Sequence, residues 1–308
     1  MEVNPIVAAD NSFLKEMEKE ESDGIMAKLL GGLNCRMRTL LFRVIAARPI
    51  PQHIAFILDG NRRFAKKWQL TEGGGHKAGF LSLMSVLKYC YEIGVKYVTI
   101  YAFSLDNFNR RPDEVQYVMD LMQEKIEGFL NEIKIVNKYG VRVMFIGDLK
   151  RLYEPVRVAA EKAMDATKYN TNTYLLVCVA YTSSHEIPRA IYESCQEKSS
   201  PIKVMNGNGH MNGNGHMNGG FSNGDHELGI KRVDLERHMY MGVAPDPDIL
   251  VRSSGETRIS NFLLWQTTNC LLYSPKALWP EMGLWQVVSA ILKYQMNYKY
   301  LEKKKKQA

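Results

Sequence analysis

From Pro51 onward the sequence alternates short apolar runs with longer stretches of helical periodicity, and this alternation is what most limits the fold. The runs Ile54–Leu58, Tyr97–Phe103, Val141–Ile146, Tyr174–Tyr181 and Ile249–Val251 are apolar almost throughout and rich in β-branched residues. A strand with one wet face alternates apolar and polar residues; an unbroken apolar strand is buried on both faces, as in a parallel sheet. The stretches between them, about 64–93, 113–138, 151–168 and 185–198, have the length of crossover helices. The expected fold is therefore α/β, a mostly parallel central sheet flanked by helices on both faces. The apolar C-terminal region holding Trp265, Trp279 and Trp285 reads as helical near 261–270 and 284–301.

Two segments stand apart from this pattern. Over 24–47, Ile25, Leu29, Leu33, Met37, Leu40, Leu41, Val44 and Ile45 recur at helical spacing, with Arg36, Arg38, Arg43 and Arg48 among them. Such a basic amphipathic helix either lies on an anionic membrane or packs on its own domain or a partner. The second segment reads NGNGHM twice over 206–217 and continues NGGFSNG. An Asn/Gly-rich repeat cannot build a core, and its His210 and His216 have no acidic or Cys companions to complete a metal site.

Charge and cysteine usage exclude several classes. Lys and Arg total 40 against 33 Asp and Glu, a net charge of +7. Four of those charges are Lys303, Lys304, Lys305 and Lys306, so the body is only mildly basic and has no aromatic-interleaved basic patch for nucleic acid. The five cysteines are scattered without a C-x-x-C pair, which excludes a zinc ribbon and argues for a reducing compartment. The N-terminal residues lack the basic and apolar regions of a signal peptide, and no run of about 18 apolar residues is present to span a bilayer.

In open α/β sheets ligands bind beyond the carboxyl ends of strands, so the residues following each run carry the chemistry. Three turns stand out: Asp59-Gly60-Asn61-Arg62-Arg63, then Ser104 to Pro112 (SLDNFNRRP), then Arg252 to Asn261 (RSSGETRISN). They are dense in Arg, Asn and Ser beside apolar strands. Arginine binds phosphate in a bidentate fork. Gly60 and Gly255 let backbone N–H groups approach an anion. Asp59 among these cations suits Mg²⁺, which favours one or two carboxylates together with phosphate oxygens. Arg-rich turns on different strands suit two phosphate groups. There is no G-x-x-x-x-G-K-[ST] and no G-x-G-x-x-G after the first strand, which excludes a P-loop or dinucleotide site. An aspartyl-phosphate phosphatase would need a second Asp where Asn61 stands.

The segments HIAFILDGNRRFAKK (53–67), GHKAGF (75–80), YVTIYAFSLDNFNRRPDEV (97–115) and PDPDILVRSSGETRISNFLLWQ (245–266) closely resemble the cis-prenyltransferases. This family includes undecaprenyl and dehydrodolichyl diphosphate synthases and plant enzymes that make cis-polyisoprene; the lysine tail and the insert look most like a plant member. The resemblance runs through roughly 51–300. It implies sequential addition of isopentenyl diphosphate to an allylic diphosphate primer such as farnesyl diphosphate, with each new double bond cis. By this resemblance the catalytic residues are Asp59, Asn61, Ser104 and Asn107, and Asp59 carries the Mg²⁺. Gly60, Arg62, Arg63, His76 and Arg110, with Asn61, would line the allylic diphosphate site. Arg252, Arg258 and Ser260 would hold isopentenyl diphosphate. The proton lost after condensation would pass to the diphosphate or to a polar group near Asp59 and Asn107. The growing chain needs an apolar tunnel, for which Phe103, Leu83, Leu87, Val143, Phe145 and Leu121 are candidates.

Three departures from the family pattern matter. Bacterial members carry a basic residue where this chain has Glu72, and a metal-binding Glu in the segment that here reads Asn269-Cys270-Leu271-Leu272-Tyr273. Homomeric members finish with an Arg-x-Gly that completes the neighbouring site, whereas this chain reads YLEKKKKQA. The resemblance thus implies a heteromer in which a degenerate cis-prenyltransferase-like partner supplies that motif. It implies a cytoplasmic enzyme peripheral to the endoplasmic reticulum membrane, or to a rubber-particle or lipid-droplet surface. The expected organisation is an N-terminal extension over 1–50, a catalytic domain over 51–302 interrupted by the low-complexity insert 203–227, and a detachable basic tail over 303–308. The alternative is a non-catalytic scaffold subunit of such a complex. Scaffolds of that kind lose the Asp-Gly-Asn and Arg-rich turns, which are all present here.

Overall fold

The computed structural model describes residues 37–71, 73–199 and 229–307. The expected strands lie side by side in one sheet: β1 (His53–Ile57), β2 (Tyr97–Ser104), β3 (Val141–Ile146), β4 (Thr173–Tyr181), β5 (Ile249–Arg252) and β6 (Leu271–Tyr273). Their order is β3-β4-β2-β1-β5-β6, and each pairing is parallel. All five residues of β1 are buried, which is why His53–Ile57 needs no polar alternation. From β1 the chain crosses to β2 on one side and later returns to β5 on the other. The crevice beyond the carboxyl ends of β1 and β5 is therefore the switch point of the sheet, where α/β folds place their ligands.

The helices are α1 (37–46), α2 (Asn61–Lys67), α3 (Gly74–Ile93), α4 (Pro112–Asn131), α5 (Ile133–Tyr139), α6 (Glu154–Ala166), α7 (Ser183–Ser199), α8 (Arg232–His238) and α9 (Leu284–Lys305). Where the sequence suggests one helix over 64–93 there are two. Gln69 breaks the run with a left-handed φ of 53°. The start of α3 then returns so close to α2 that a Cβ on Gly75 would lie 2.1 Å from the Asn61 carbonyl oxygen. The helix expected at 261–270 is absent. Ser260, Asn261 and Leu263 all have positive φ, and the segment turns so as to bury Phe262 and Leu263 completely. The three-residue edge strand β6, too short to read from the sequence, follows it.

The chain divides into two compact units, one holding the sheet and the other spanning Ser184–Val243. The second unit joins α7 to α8. The Ser194 hydroxyl donates to the Asp234 carbonyl, Lys198 pairs with Asp234 at 2.6 Å and Arg237 with Glu197 at 3.1 Å. The insert 203–227, Glu72 and the larger part of the 24–47 segment lie outside the described residues. The part of that segment that is described, α1, buries Phe42 and Ile45. It is tied to α3 by Arg38–Glu92 at 3.0 Å and to α9 through Gln295, which donates to the Ile45 carbonyl at 2.8 Å. Packing on its own domain, one of the two readings open for it, therefore accounts for its inner face.

The lysine run is not a separate tail. Lys303, Lys304 and Lys305 form the last turn of α9, where cations complement the helix dipole. Lys305 pairs with Asp248, whose side chain is buried. Asp248 also accepts the N–H groups of Gln52 and His53 at 2.6 and 3.1 Å, fixing the register of β1 against β5. His53 completes this buried end of the sheet, with Nδ1 2.6 Å from the Pro245 carbonyl and Nε2 2.7 Å from the Thr99 hydroxyl. These contacts suit a neutral ring that donates from Nδ1 and accepts at Nε2.

Burial lowers the His53 pKa to about 4, against the raising effects of Pro245 and Asp248. Its folded-state value lies below the unfolded value near 6.5, so its contribution to stability is intact above pH ~6.5 and is lost as the pH falls toward 4. The expected loss is on the order of 3 kcal/mol. Chemical unfolding from pH 7 to 4 should show that component in the parent and not in His53→Gln; parallel pH profiles for the two would contradict it.

Candidate active site

The site is built on the turn after β1, and that turn is fastened to β5. The Asp59 N–H donates to the Ser253 hydroxyl at 2.9 Å. The Asp59 carbonyl faces three donors: the hydroxyls of Ser253 and Ser254 at 2.6 and 2.8 Å, and the Trp279 N–H at 2.9 Å. Gly60 follows with φ 111°, and a Cβ on it would lie 2.5 Å from the Ser254 hydroxyl oxygen. Only glycine satisfies both the left-handed backbone and this close approach.

The Asp59 carboxylate is thereby aimed at cations. It accepts from Arg252 at 2.7 Å and from Arg63 at 3.2 Å, with Arg258 at 4.0 Å. Burial pushes its pKa up, but the hydrogen bonds and charges of Arg252 and Arg63 outweigh burial and leave it below the usual carboxylate range. Arg252 has a side chain only 8% exposed. It donates to the Ser260 hydroxyl at 2.6 Å and to the Arg258 carbonyl at 2.5 Å, yet its buried Nε has no hydrogen-bond partner. The buried Oδ1 of Asn61 has none either. Buried polar atoms left open in this way mark the place of a ligand better than of a core.

A second cationic group gathers beyond β2. Ser104 caps the 3₁₀ turn Leu105–Asn109: its N–H donates to Asn107 Oδ1 at 3.0 Å and its hydroxyl accepts the Asp106 N–H at 3.1 Å. This holds Asn107 in place and leads the chain to Arg110. Glu114, one helical turn later, accepts from Arg110 at 2.8 Å and has Arg62 at 3.6 Å. His76 lies nearby, its pKa lowered first by burial and then by the charge of Arg110, so it offers a neutral ring rather than a further cation.

A cavity of about 1200 Å³ joins these groups. Asn61, His76, Ser104, Asn107, Arg110, Arg252 and Ser260 all line it. Phe103, Leu83, Leu87, Val143, Phe145 and Leu121 line it too, so all six expected tunnel residues face one apolar space. Asp59, Gly60, Arg62, Arg63 and Arg258 do not line that cavity. Arg62 faces a smaller one of about 290 Å³ with His76, Glu114 and Tyr117, while Arg63 and Arg258, both exposed, pair with Asp59.

Sequence reasoning passed over Ser253, Ser254, Trp279, Glu114 and Glu256. The last of these pairs with both Arg63 at 3.3 Å and Arg258 at 2.5 Å. Only Glu114 carries a local signal, its i,i+4 spacing from Arg110. Among the described residues no group of three or more His, Cys, Asp or Glu side chains could hold a metal. The segment that carries a metal-binding Glu in bacterial members is here β6, with no carboxylate.

A family model described as "Putative undecaprenyl diphosphate synthase" matches residues 57–301. The chain belongs to the cis-prenyltransferase family. It is 56% identical to dehydrodolichyl diphosphate synthase 6 of Arabidopsis thaliana over 92% of this chain and 96% of that protein. It is likewise 56% identical to the rubber cis-polyprenyltransferase HRT2 of Hevea brasiliensis, over 87% of this chain and 92% of that one. The human dehydrodolichyl diphosphate synthase complex subunit DHDDS is 40% identical over 84% of this chain and 72% of its own length. Among solved structures, lavandulyl diphosphate synthase from Lavandula x intermedia, in complex with dimethylallyl diphosphate, superposes with a TM-score of 0.67 at 26% identity, covering 80% of this chain and 95% of its own. The chain is thus a transferase of the plant cis-prenyltransferase type.

Replacing Ser253 by Ala removes a hydroxyl that bonds both the N–H and the carbonyl of Asp59, and leaves the N–H only the Ile57 carbonyl at 3.0 Å. Unfolding free energy should fall by roughly 1–2 kcal/mol, the worth of two ordinary hydrogen bonds. Ser254→Ala should cost less, because the Asp59 carbonyl keeps two other donors. Chemical denaturation of the two variants checks the order.

Proposed function

We propose that this chain builds a long cis-polyisoprenoid by Mg²⁺-dependent condensation of isopentenyl diphosphate onto an allylic diphosphate such as farnesyl diphosphate. The observation that carries this reading is the pairing of two cationic groups with one apolar cavity of about 1200 Å³. Two charged heads can sit at the polar end while a hydrocarbon occupies the rest. Gly60, Asn61, Arg62, Arg63, His76 and Arg110 hold the allylic diphosphate; Arg252, Arg258 and Ser260 hold isopentenyl diphosphate. The names of the plant relatives, which specify dehydrodolichyl and rubber products, support a long product of one of these two types.

Asp59 fits the metal, since one carboxylate beside a diphosphate suffices for Mg²⁺. The bound ion would supply electrostatic stabilisation of the leaving diphosphate. The protein's own residues do the rest. Arg62 and Arg110 place positive charge where the departing diphosphate gains negative charge, and neutral His76 donates a hydrogen bond there. As the primer's C–O bond breaks, the allylic carbon bonds to the terminal alkene carbon of isopentenyl diphosphate, held within reach by Arg252 and Ser260. The positive charge then sits on the methyl-bearing alkene carbon; a proton leaves the adjacent carbon on its diphosphate side, forming the new double bond, and passes to the released diphosphate or to the polar group around Asp59 and Asn107.

The chain works with a partner subunit, a reading supported by the human relative being named as a subunit of a complex. It acts at the cytoplasmic face of the endoplasmic reticulum membrane, or at a lipid-droplet or rubber-particle surface, where an apolar product is delivered. Among the described residues no helix is long and apolar enough to cross a membrane, so the contact is peripheral in this reading. A scaffold role is disfavoured by the intact Asp59-Gly60-Asn61 turn and by Arg110, Arg252 and Arg258.

Incubation of the parent with labelled isopentenyl diphosphate and farnesyl diphosphate should yield extended polyprenyl diphosphates, and their size separates dolichol-type from rubber-type products. Asp59→Ala should lower turnover by about 10³-fold or more, with an unchanged circular dichroism spectrum. Near-parental turnover in that variant would sink the proposed role of Asp59.

A further inference from the structure

The tunnel wall is incomplete on one side. Helix α4 packs on α6 and helix α3 packs on α2 and α9, but α3 and α4 make no extended contact with each other. On α4, Val118, Leu121, Met122 and Lys125 line the cavity from one helix face, and toward the end of the helix every residue from Glu124 to Phe129 lines it. Gly128 lines it as well and is exposed to solvent. Across the gap on α3, Met84 lines the cavity while 49% exposed. The Lys125 ammonium reaches over to the Phe80 ring of α3, 5.2 Å from its centroid.

Gly128 has no backbone or packing reason to be glycine. A Cβ there would meet nothing within 4 Å, and its φ is not left-handed. Gly75 and Gly79 differ: a Cβ on either would lie 2.1 and 2.3 Å from atoms of Asn61. A glycine inside a helix weakens it relative to alanine, so its effect at 128 is the space it leaves.

We propose that Gly128 is a product-length determinant: by carrying no side chain it keeps open a window between α3 and α4 through which chain that outgrows the cavity passes. The inference rests on the polyprenyl synthase reading above. At the packing density of organic solids a five-carbon unit fills on the order of 100 Å³. A cavity of about 1200 Å³ therefore holds on the order of ten units, and a longer product has to leave while still attached to the site. Met84 gives the passing hydrocarbon an apolar edge on the opposite rim. Gly128 lies on α4 well beyond Glu114, so a change there leaves the diphosphate sites untouched.

The test is product size from membranes of cells expressing the full chain, with labelled isopentenyl diphosphate and farnesyl diphosphate. Gly128→Leu and Gly128→Trp should shift products toward the cavity's own capacity, with early condensation rates within about two-fold of the parent. Gly128→Ala should leave product size unchanged and thermal stability equal or higher. Met84→Trp, on the other rim, should shorten products in the same way and covers the case of a Gly128→Trp chain that does not fold. Parental product size in both folded tryptophan variants overturns the proposal, as does equal shortening by Gly128→Ala. A parent that makes no polyisoprenoid overturns the functional reading, and this inference with it.

Discussion

The ion pair between Asp59 and Arg252 is the contact on which the arrangement of the site depends. It spans the switch point of the sheet, joining the carboxyl end of β1 to that of β5. A guanidinium as buried as that of Arg252 is tolerated only when it is paired and hydrogen-bonded. Asp59, Ser260 and the Arg258 carbonyl meet most of that demand. Its buried Nε has no hydrogen-bond partner. The pair thus fixes two turns that are almost two hundred residues apart in sequence.

Around this contact the backbone does as much as the side chains. Ser253, Ser254 and Trp279 hold the Asp59 main chain, and Gly60 lets β5 approach. At the other end of the same strands, Asp248 holds β1 and the last turn of α9. The two ends of β1 and β5 are therefore pinned independently, one by a buried structural network and one by the chemistry of the site.

The strands were legible because a parallel sheet leaves its mark as unbroken apolar runs, and the polar site residues were legible because they follow those runs directly. What was hidden depends on distant partners. Lys305 looks like any tail lysine until Asp248 is found beside it. The 261–270 segment has helix-forming residues, yet burial of Phe262 and Leu263 is achieved through left-handed turns instead. Ser253 and Ser254 are common turn residues whose spacing does not announce that both reach one carbonyl oxygen. The tunnel residues were recognisable as apolar, but their facing a cavity rather than a filled core follows from the divergence of α3 and α4.

Glu114 and Glu256 have a consequence for recognition. Each sits among the arginines that a diphosphate needs: Glu114 with Arg62 and Arg110, Glu256 with Arg63 and Arg258. The cations are not waiting bare; an internal anion already occupies each group. An incoming ligand must outcompete a carboxylate that is tethered at high effective concentration. A monoanion offers no more than the residue it displaces, whereas a diphosphate brings greater charge density and several acceptor oxygens. Under the proposed function, such a site would select its ligands by exchange, disfavouring weakly charged lipids that share the same hydrocarbon tail.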